Sequence, residues 1–385
     1  MTSSAPRPNG SRRAAGHISA GQLFFCFMAA FCLVLILSNA DAAVEYMGRG
    51  LILCVKTVIP SLFPFMVISE LLVGSGAGEA FGRLFARPMR WLFGLSGAGS
   101  TAVVLGSLCG FPMGARTAVG LLDRGAITKE ECERLLTFSN NPSSAFLITA
   151  VGVSLFGNRR IGTVLYLTVL CSGLLIGLLS RPVMRRRQVT ACPAVSVGLH
   201  PGGADMFTSS VSGAASGMLT VCAYVVFFST LSGVLSAAAS GLSGAIPPTL
   251  WALFCGFLEL SGGISEASAL SDTTTALVIA AAIAGWSGLS VHCQVMSMCA
   301  GRGLSFKPYV LAKLAQGVIC AGVMRLILFA APPDRLSPAA DTAVTVMLDL
   351  EGYLCAGHGL LPPGLSLAGF AVSFLVWVRK RLRER

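Results

Sequence analysis

The sequence predicts an all-α polytopic membrane protein: two inverted helical bundles containing discontinuous or re-entrant helices, with about 8 full crossings. Three observations carry that expectation. Of 385 residues, 54% are hydrophobic and only 12% charged, against roughly 25% charged in an ordinary soluble domain. Several apolar runs reach the ~20 residues needed to cross the hydrocarbon core. Finally, Gly-, Pro- and polar-broken apolar segments follow one another in the same order twice along the chain.

The net charge of +11 is not a nucleic-acid footprint, because the basic residues lie mostly in end segments and short loops. That distribution is what positive-inside topology produces. The 13 cysteines form no CxxC pair. Cys26, Cys32, Cys171, Cys222 and Cys320 lie inside apolar runs and read as small buried hydrophobes. No metal site and no cofactor are expected.

In chain order, residues 1–17 are polar and basic, and a disordered cytoplasmic segment is expected there. Residues 18–40 hold the first transmembrane helix; its apolar run is long for a cleaved signal peptide, so a retained helix is the expectation. The first repeat covers 44–180. It opens with a hydrophobic segment broken by Pro60 and Pro64, then an amphipathic basic helix over 80–92 carrying Arg83, Arg87 and Arg90. A Gly-broken segment follows, Gly106-Ser-Leu-Cys-Gly-Phe-Pro-Met-Gly114. Thr128 and Glu131 have capping-box spacing, so a helix starts there and runs to the polar break Ser139-Asn-Asn-Pro-Ser-Ser144. A plain spanner over 161–179 closes the repeat. A basic cytoplasmic linker, 181–205, leads to the second repeat, 206–331, with breaks at Gly256-Phe-Leu-Glu-Leu-Ser-Gly-Gly263 and Gly285-Trp-Ser-Gly-Leu-Ser-Val-His292. A loop over 332–362 and a last helix with a basic tail over 363–385 complete the chain.

Topology tests the duplication. The N-terminus, the 80–92 helix, the 181–205 linker and the tail are all basic and are therefore expected in the cytoplasm. Each repeat must then cross an odd number of times, so one of its four segments is re-entrant and the two repeats are inverted. Proline and glycine in the breaks free backbone groups, which are tolerated at membrane depth only inside protein or around a cavity. Inverted repeats with broken helices at mid-membrane are the architecture of many secondary transporters.

Val58-Ile-Pro-Ser-Leu-Phe-Pro-Phe65, Gly110-Phe-Pro-Met-Gly114, Phe138-Ser-Asn-Asn141, Gly256-Phe-Leu-Glu-Leu-Ser261 and Gly288-Leu-Ser-Val-His292 resemble the YlbJ-type sporulation integral membrane proteins, which carry paired nucleoside-recognition gate domains. The resemblance implies an outer forespore membrane location on the mother-cell side. It also implies movement of dipicolinic acid, a small aromatic dicarboxylate, from mother cell to forespore. The partners it implies are this small anionic substrate, the bilayer, and either a second copy of the chain or other sporulation membrane proteins. A non-transporting scaffold and a transporter of nucleosides or another small solute are the competing functions.

Each candidate site residue stands against a plainer role. Glu259, near the centre of a membrane helix, is the proposed coupling or gating acid; an intramembrane carboxylate costs about 2.5–3.5 kcal/mol on insertion scales unless paired or protonated. Its plainer role is a structural ion pair. Ser139, Asn140, Asn141 and Ser144 offer neutral hydrogen-bonding groups beside half-helix ends that suit a carboxylate, or simply satisfy a kink. Gly110, Pro112 and Gly114 shape the facing break, and Ser261, Ser287 and Ser290 line its counterpart. His292 is a second coupling candidate, or a packed histidine. Lys56, Arg116, Lys313 and Arg325 are cations in or near spans; Arg116, two residues past Gly114, is the favoured carboxylate partner, the alternative being snorkelling. Gly285-Trp-Ser-Gly288 matches an intramembrane serine-protease motif, but that chemistry needs a histidine on another helix, and beyond His292, which closes this same stretch, the only later histidine is His358, in a Pro/Gly-rich loop. With no Walker-type phosphate loop either, no enzyme activity is expected.

Overall fold

The computed structural model describes residues 20–75, 77–184, 203–239 and 246–333. Among them all regular structure is helical, as composition predicts. The segment 1–17, most of the 181–205 linker, the loop beyond 333 and the last helix with its tail lie outside the described residues.

The chain enters through α1 (Ala20–Ser38), turns by 100° at Asn39, and continues as α2 (Ala40–Leu53) and α3 (Ile59–Gly74). Pro60 and Pro64 do not interrupt helical backbone here, contrary to expectation. Pro60 sits in the first turn of α3, where its missing N–H is least costly, and the five residues before it, Cys54–Val58, take a π-helical turn. Against this stretch runs α9 (Gly203–Ala239) in the opposite direction. Gly50 faces Val226 and Ser229, the Cys54 thiol points at the Cys222 carbonyl, and Gly74 faces Met206. Small residues let the two backbones approach closely, as membrane interfaces favour.

The amphipathic basic helix is α4 (Ala77–Pro88), prolonged by a π-helical turn, Met89–Phe93. Next come α5 (Ser100–Cys109), α6 (Met113–Asp123), α7 (Lys129–Ser139), a π-helical segment Phe146–Leu155 and α8 (Arg159–Met184). The second half follows with α10 (Pro248–Leu258), α11 (Leu260–Ser268), α12 (Thr273–Trp286), α13 (Gly288–Cys299) and α14 (Lys307–Ala330). Local chemistry sets the boundaries. The Thr128–Glu131 capping box forms as predicted and starts α7, while Asp272 caps α12 by accepting from the Thr274 and Thr275 amides.

The re-entrant segments, which topology counting left open, are the Gly-broken ones. Gly106 lies beside Gly114, and Gly256 beside Gly263. In a continuous helix residues seven or eight apart stand more than ~10 Å apart, so α5/α6 and α10/α11 are hairpins. By contrast, α12 and α13 form one interrupted span over Thr273–Cys299.

A chain of contacts fixes which connections share an end. Ser96 N–H donates to Glu131, Ser305 N–H to Glu133, Arg302 pairs with Asp123, and Arg124 donates to the Gly74 carbonyl. The α5/α6 hairpin therefore enters from the end that holds the starts of α7, α9 and α14. The α10/α11 hairpin enters from the other end. The two halves are inverted.

By length and apolarity, four described helices can cross a membrane, or six if each bent pair counts once. This is fewer than the expected eight. The last helix lies outside the described residues, and α7 with its π-helical continuation is too charged at one end to count as an apolar span. A hydrophobic core unites the halves near the first end, combining Phe93, Leu135, Leu136 and Phe138 with Val291, Val295 and Tyr309.

Candidate functional site

In each half, the hairpin tip meets the break in the span that follows it. In the first half the Ser139 carbonyl sits between Gly106 and Gly114; a Cβ on either glycine would lie 1.9 or 2.0 Å from that oxygen. Gly110 takes φ 78°, ψ −167°, a region only glycine occupies comfortably, and packs on the Ser143 amide. Pro112, buried, precedes the first turn of α6, and the Ser143 hydroxyl accepts from the Phe146 amide as the chain turns helical again. Ser144 is buried in the same break. In the second half Gly288, at φ 79°, packs on Glu259 and Leu260, and the Trp286 indole donates to the Phe257 carbonyl at 3.1 Å.

The α7 break is filled from α14. Lys313 is 0% exposed, and its ammonium donates to the Asn140 carbonyl (2.9 Å), Asn141 Oδ1 (3.2 Å) and Gln316 Oε1 (2.8 Å). Gln316 Nε2 donates in turn to Asn141 Oδ1 (2.8 Å) and the Val169 carbonyl (3.0 Å), and Asn141 Nδ2 to the Phe138 carbonyl. The three lysine donors thus meet three neutral oxygens, with no carboxylate among its partners in the described residues. The C-terminal end of α7 supplies negative potential there, but a buried ammonium remains costly without a formal counter-charge.

Beside this cluster Asn140 Nδ2 donates to the Tyr309 hydroxyl at 3.3 Å, while Asn140 Oδ1 and Ser139 Oγ find no partner among the described residues. The Tyr309 ring touches that of His292. His292 Nδ1 bonds the Gly288 carbonyl at 2.8 Å, its Nε2 is buried without a partner among the described residues, and its ring lies against Trp286. Orphaned buried polar atoms are rare; among the described residues Ser139 Oγ and Asn140 Oδ1 lie at the α7 break and His292 Nε2 near it, with others elsewhere in the chain.

Glu259 has a different setting. It caps α11 through the Ser261 and Gly262 amides, at 3.0 and 2.7 Å. It also lines a cavity of about 270 Å³ with Tyr46 and Arg49 of α2, Ser229, Ser232 and Ser236 of α9, and Ser261, Ser265 and Glu266 of α11. No lysine or arginine of a neighbouring helix pairs with it among the described residues, so the plainer alternative, a structural ion pair, is not seen there.

The structure divides the remaining candidates. Ser287 and Ser290 are buried in the α12/α13 break and face inward bonds, to the Ala284 carbonyl and from Gln294. Arg116 does not join the asparagines. It pairs with Glu70 of α3 at 2.8 Å and donates to the Gly213 carbonyl at 2.7 Å, so in this structure its charge is countered within the protein. Lys56 and Arg325 are exposed on the outer surface, as snorkelling predicts. The cation that reaches the break is Lys313; its i,i+3 spacing from Gln316 in the middle of a mostly apolar helix was the signal to weight. Tyr46, Arg49 and the α9 serines were not singled out, because nothing in their own sequence marks the partner helix they face.

The family model for Gate, nucleoside recognition, matches residues 55–174, which take in the first hairpin and the α7 break. The sporulation integral membrane protein YlbJ of Bacillus subtilis (strain 168) is 30% identical over an alignment covering 79% of this chain and 81% of its own. No solved structure matches the chain significantly.

Proposed function

This chain belongs to the YlbJ family of sporulation integral membrane proteins, and on that premise we propose that it is a secondary-type transporter moving a small organic anion, dipicolinate, from mother cell to forespore. The observation that carries the proposal is the Lys313 ammonium, buried at the α7 break with only neutral partners among the described residues. A substrate carboxylate supplies the missing counter-charge, and Asn140, Asn141, Ser139 and Ser144 orient it. Lys313 belongs to one half and the break to the other, so exchanging its protein oxygens for a carboxylate loosens a contact between halves. That is what alternating access about an inverted repeat requires. Glu259 and His292, in the second half, serve coupling and gating.

In this proposal the end carrying Arg87, Arg90, Arg124 and Arg181 faces the mother-cell cytoplasm, and the membrane is the outer forespore membrane. The decisive measurement is dipicolinate uptake into proteoliposomes. Lys313→Met is expected to lower uptake at least 100-fold while the protein still inserts; unchanged uptake would falsify the anion role. The Gate description favours one second reading, a nucleoside as cargo. Nucleoside competition in the same assay separates the two, since neutral solutes do not need Lys313.

A further inference from the structure

We propose that the cavity between α2, α9 and the α10/α11 hairpin is a binding site for a monovalent alkali cation. The inference deepens the transport reading by naming a coupling ion, yet it rests on a separate locus and is read by a binding measurement.

The wall of the cavity is rich in oxygen. Ser229, Ser232, Ser236, Ser261 and Ser265 contribute hydroxyls, Tyr46 a phenol, and Glu259 and Glu266 carboxylates. The one cation on the wall, Arg49, is already engaged by Glu45 at 2.5 Å and stacks over the Tyr46 ring at 4.9 Å. With Glu259 and Glu266 against Arg49, the wall carries net negative charge. Glu259 is held in place by two backbone amides, which leaves lone pairs on both oxygens for a ligand.

Ser232 and Glu259 converge. A methyl group built on Gly262 would stand 3.7 Å from Ser232 Oγ and 3.4 Å from Glu259 Oε2, so both oxygens border one small space kept clear by a glycine. About 270 Å³ accommodates a cation with several waters of roughly 30 Å³ each. The chemistry favours a hard ion of low charge. Calcium sites draw on several carboxylates, and no group of three or more His, Cys, Asp or Glu is arranged to hold a metal ion among the described residues. Hydroxyls with one fixed carboxylate match a single positive charge.

The test is thermal unfolding of the purified full chain in detergent, followed by tryptophan fluorescence, with sodium, potassium or lithium chloride titrated against choline chloride at constant ionic strength. A saturable upward shift of the midpoint with one alkali ion is expected. Its apparent affinity should fall at least tenfold in Glu259→Gln and severalfold in Ser232→Ala. Because Glu259 also caps α11, Ser232→Ala and Glu266→Gln provide variants that leave that cap intact. An equal shift with choline, a shift only with calcium or magnesium, a response to pH alone, or unaltered ion affinity in all three variants would each overturn the proposal. Ion binding without dipicolinate uptake would uphold this site and remove the transport reading. Uptake indifferent to alkali ions, with no binding, would do the reverse.

Discussion

At the scale of single residues, the glycines at the hairpin tip make the strongest demands. The Ser139 carbonyl lies so near Gly106 and Gly114 that any side chain there collides with backbone rather than a movable tip. Gly106→Ala and Gly114→Ala should each lower stability by about 3 kcal/mol or more, at or above the usual overpacking range, measured by thermal or denaturant unfolding in detergent. Gly322→Ala is the contrast. Nothing lies within 4 Å of its added carbon, and exchanging a helical glycine for alanine is worth up to about 1 kcal/mol, so that variant should be at least as stable as wild type. Lys313 was visible in the sequence only as one of four cations. What sets it apart is that α14 passes the α7 break, and no local pattern encodes that meeting. Arg116 shows the converse: its place beside Gly114 looked functional, but Glu70, 46 positions upstream, had already claimed it.

At the scale of elements, boundaries were legible wherever a side chain makes them. Thr128 with Glu131, and the glycine- and proline-rich breaks, were all readable because capping and broken ladders are local events. Pro60 misled because proline in a first turn leaves a helix intact. The capping carboxylate Asp272 gives a pH test. Hydrogen bonds from the Thr275 hydroxyl and amide, chiefly, hold its carboxyl below the ordinary range. A depressed native value means the contribution is present above the unfolded value of about 3.9 and is lost as pH falls through the native one. Asp272→Ala should therefore lower the unfolding midpoint at pH 7, and the gap to wild type should narrow in acid below pH 4.

For the whole molecule, inversion was legible from charge alone, because basic connections count crossings even when no helix is assigned. Which segment turns back was not, since a broken span and a hairpin share the same Gly/Pro composition. The arrangement predicts a labelling pattern. In a cysteine-free background, single cysteines at Gly125 and Gly301 should react with an impermeant maleimide from the same side, and those at Gly157 and Ser271 from the opposite one. Reactivity of all four from one side would dismantle the inverted fold. At the first end the bidentate pair of Arg302 and Asp123, both oxygens at 2.7 Å, ties one half to the other; the carboxylate also raises the affinity of that guanidinium for its proton. Being largely exposed, it should contribute no more than about 1 kcal/mol to stability. Asp123→Asn is thus expected to leave the unfolding midpoint nearly unchanged while altering the rate of exchange between open states, read as a changed maximal uptake rate.

The length of α9 has a further consequence. Its 37 residues make a rod of about 55 Å, set in a hydrocarbon layer of about 30 Å. A rod that long must lean far from the membrane normal or project well beyond one leaflet, and α2 and α3 lie along it. Bilayer thickness then sets how far α9 leans, and α2 and α3, which lie along it, lean with it.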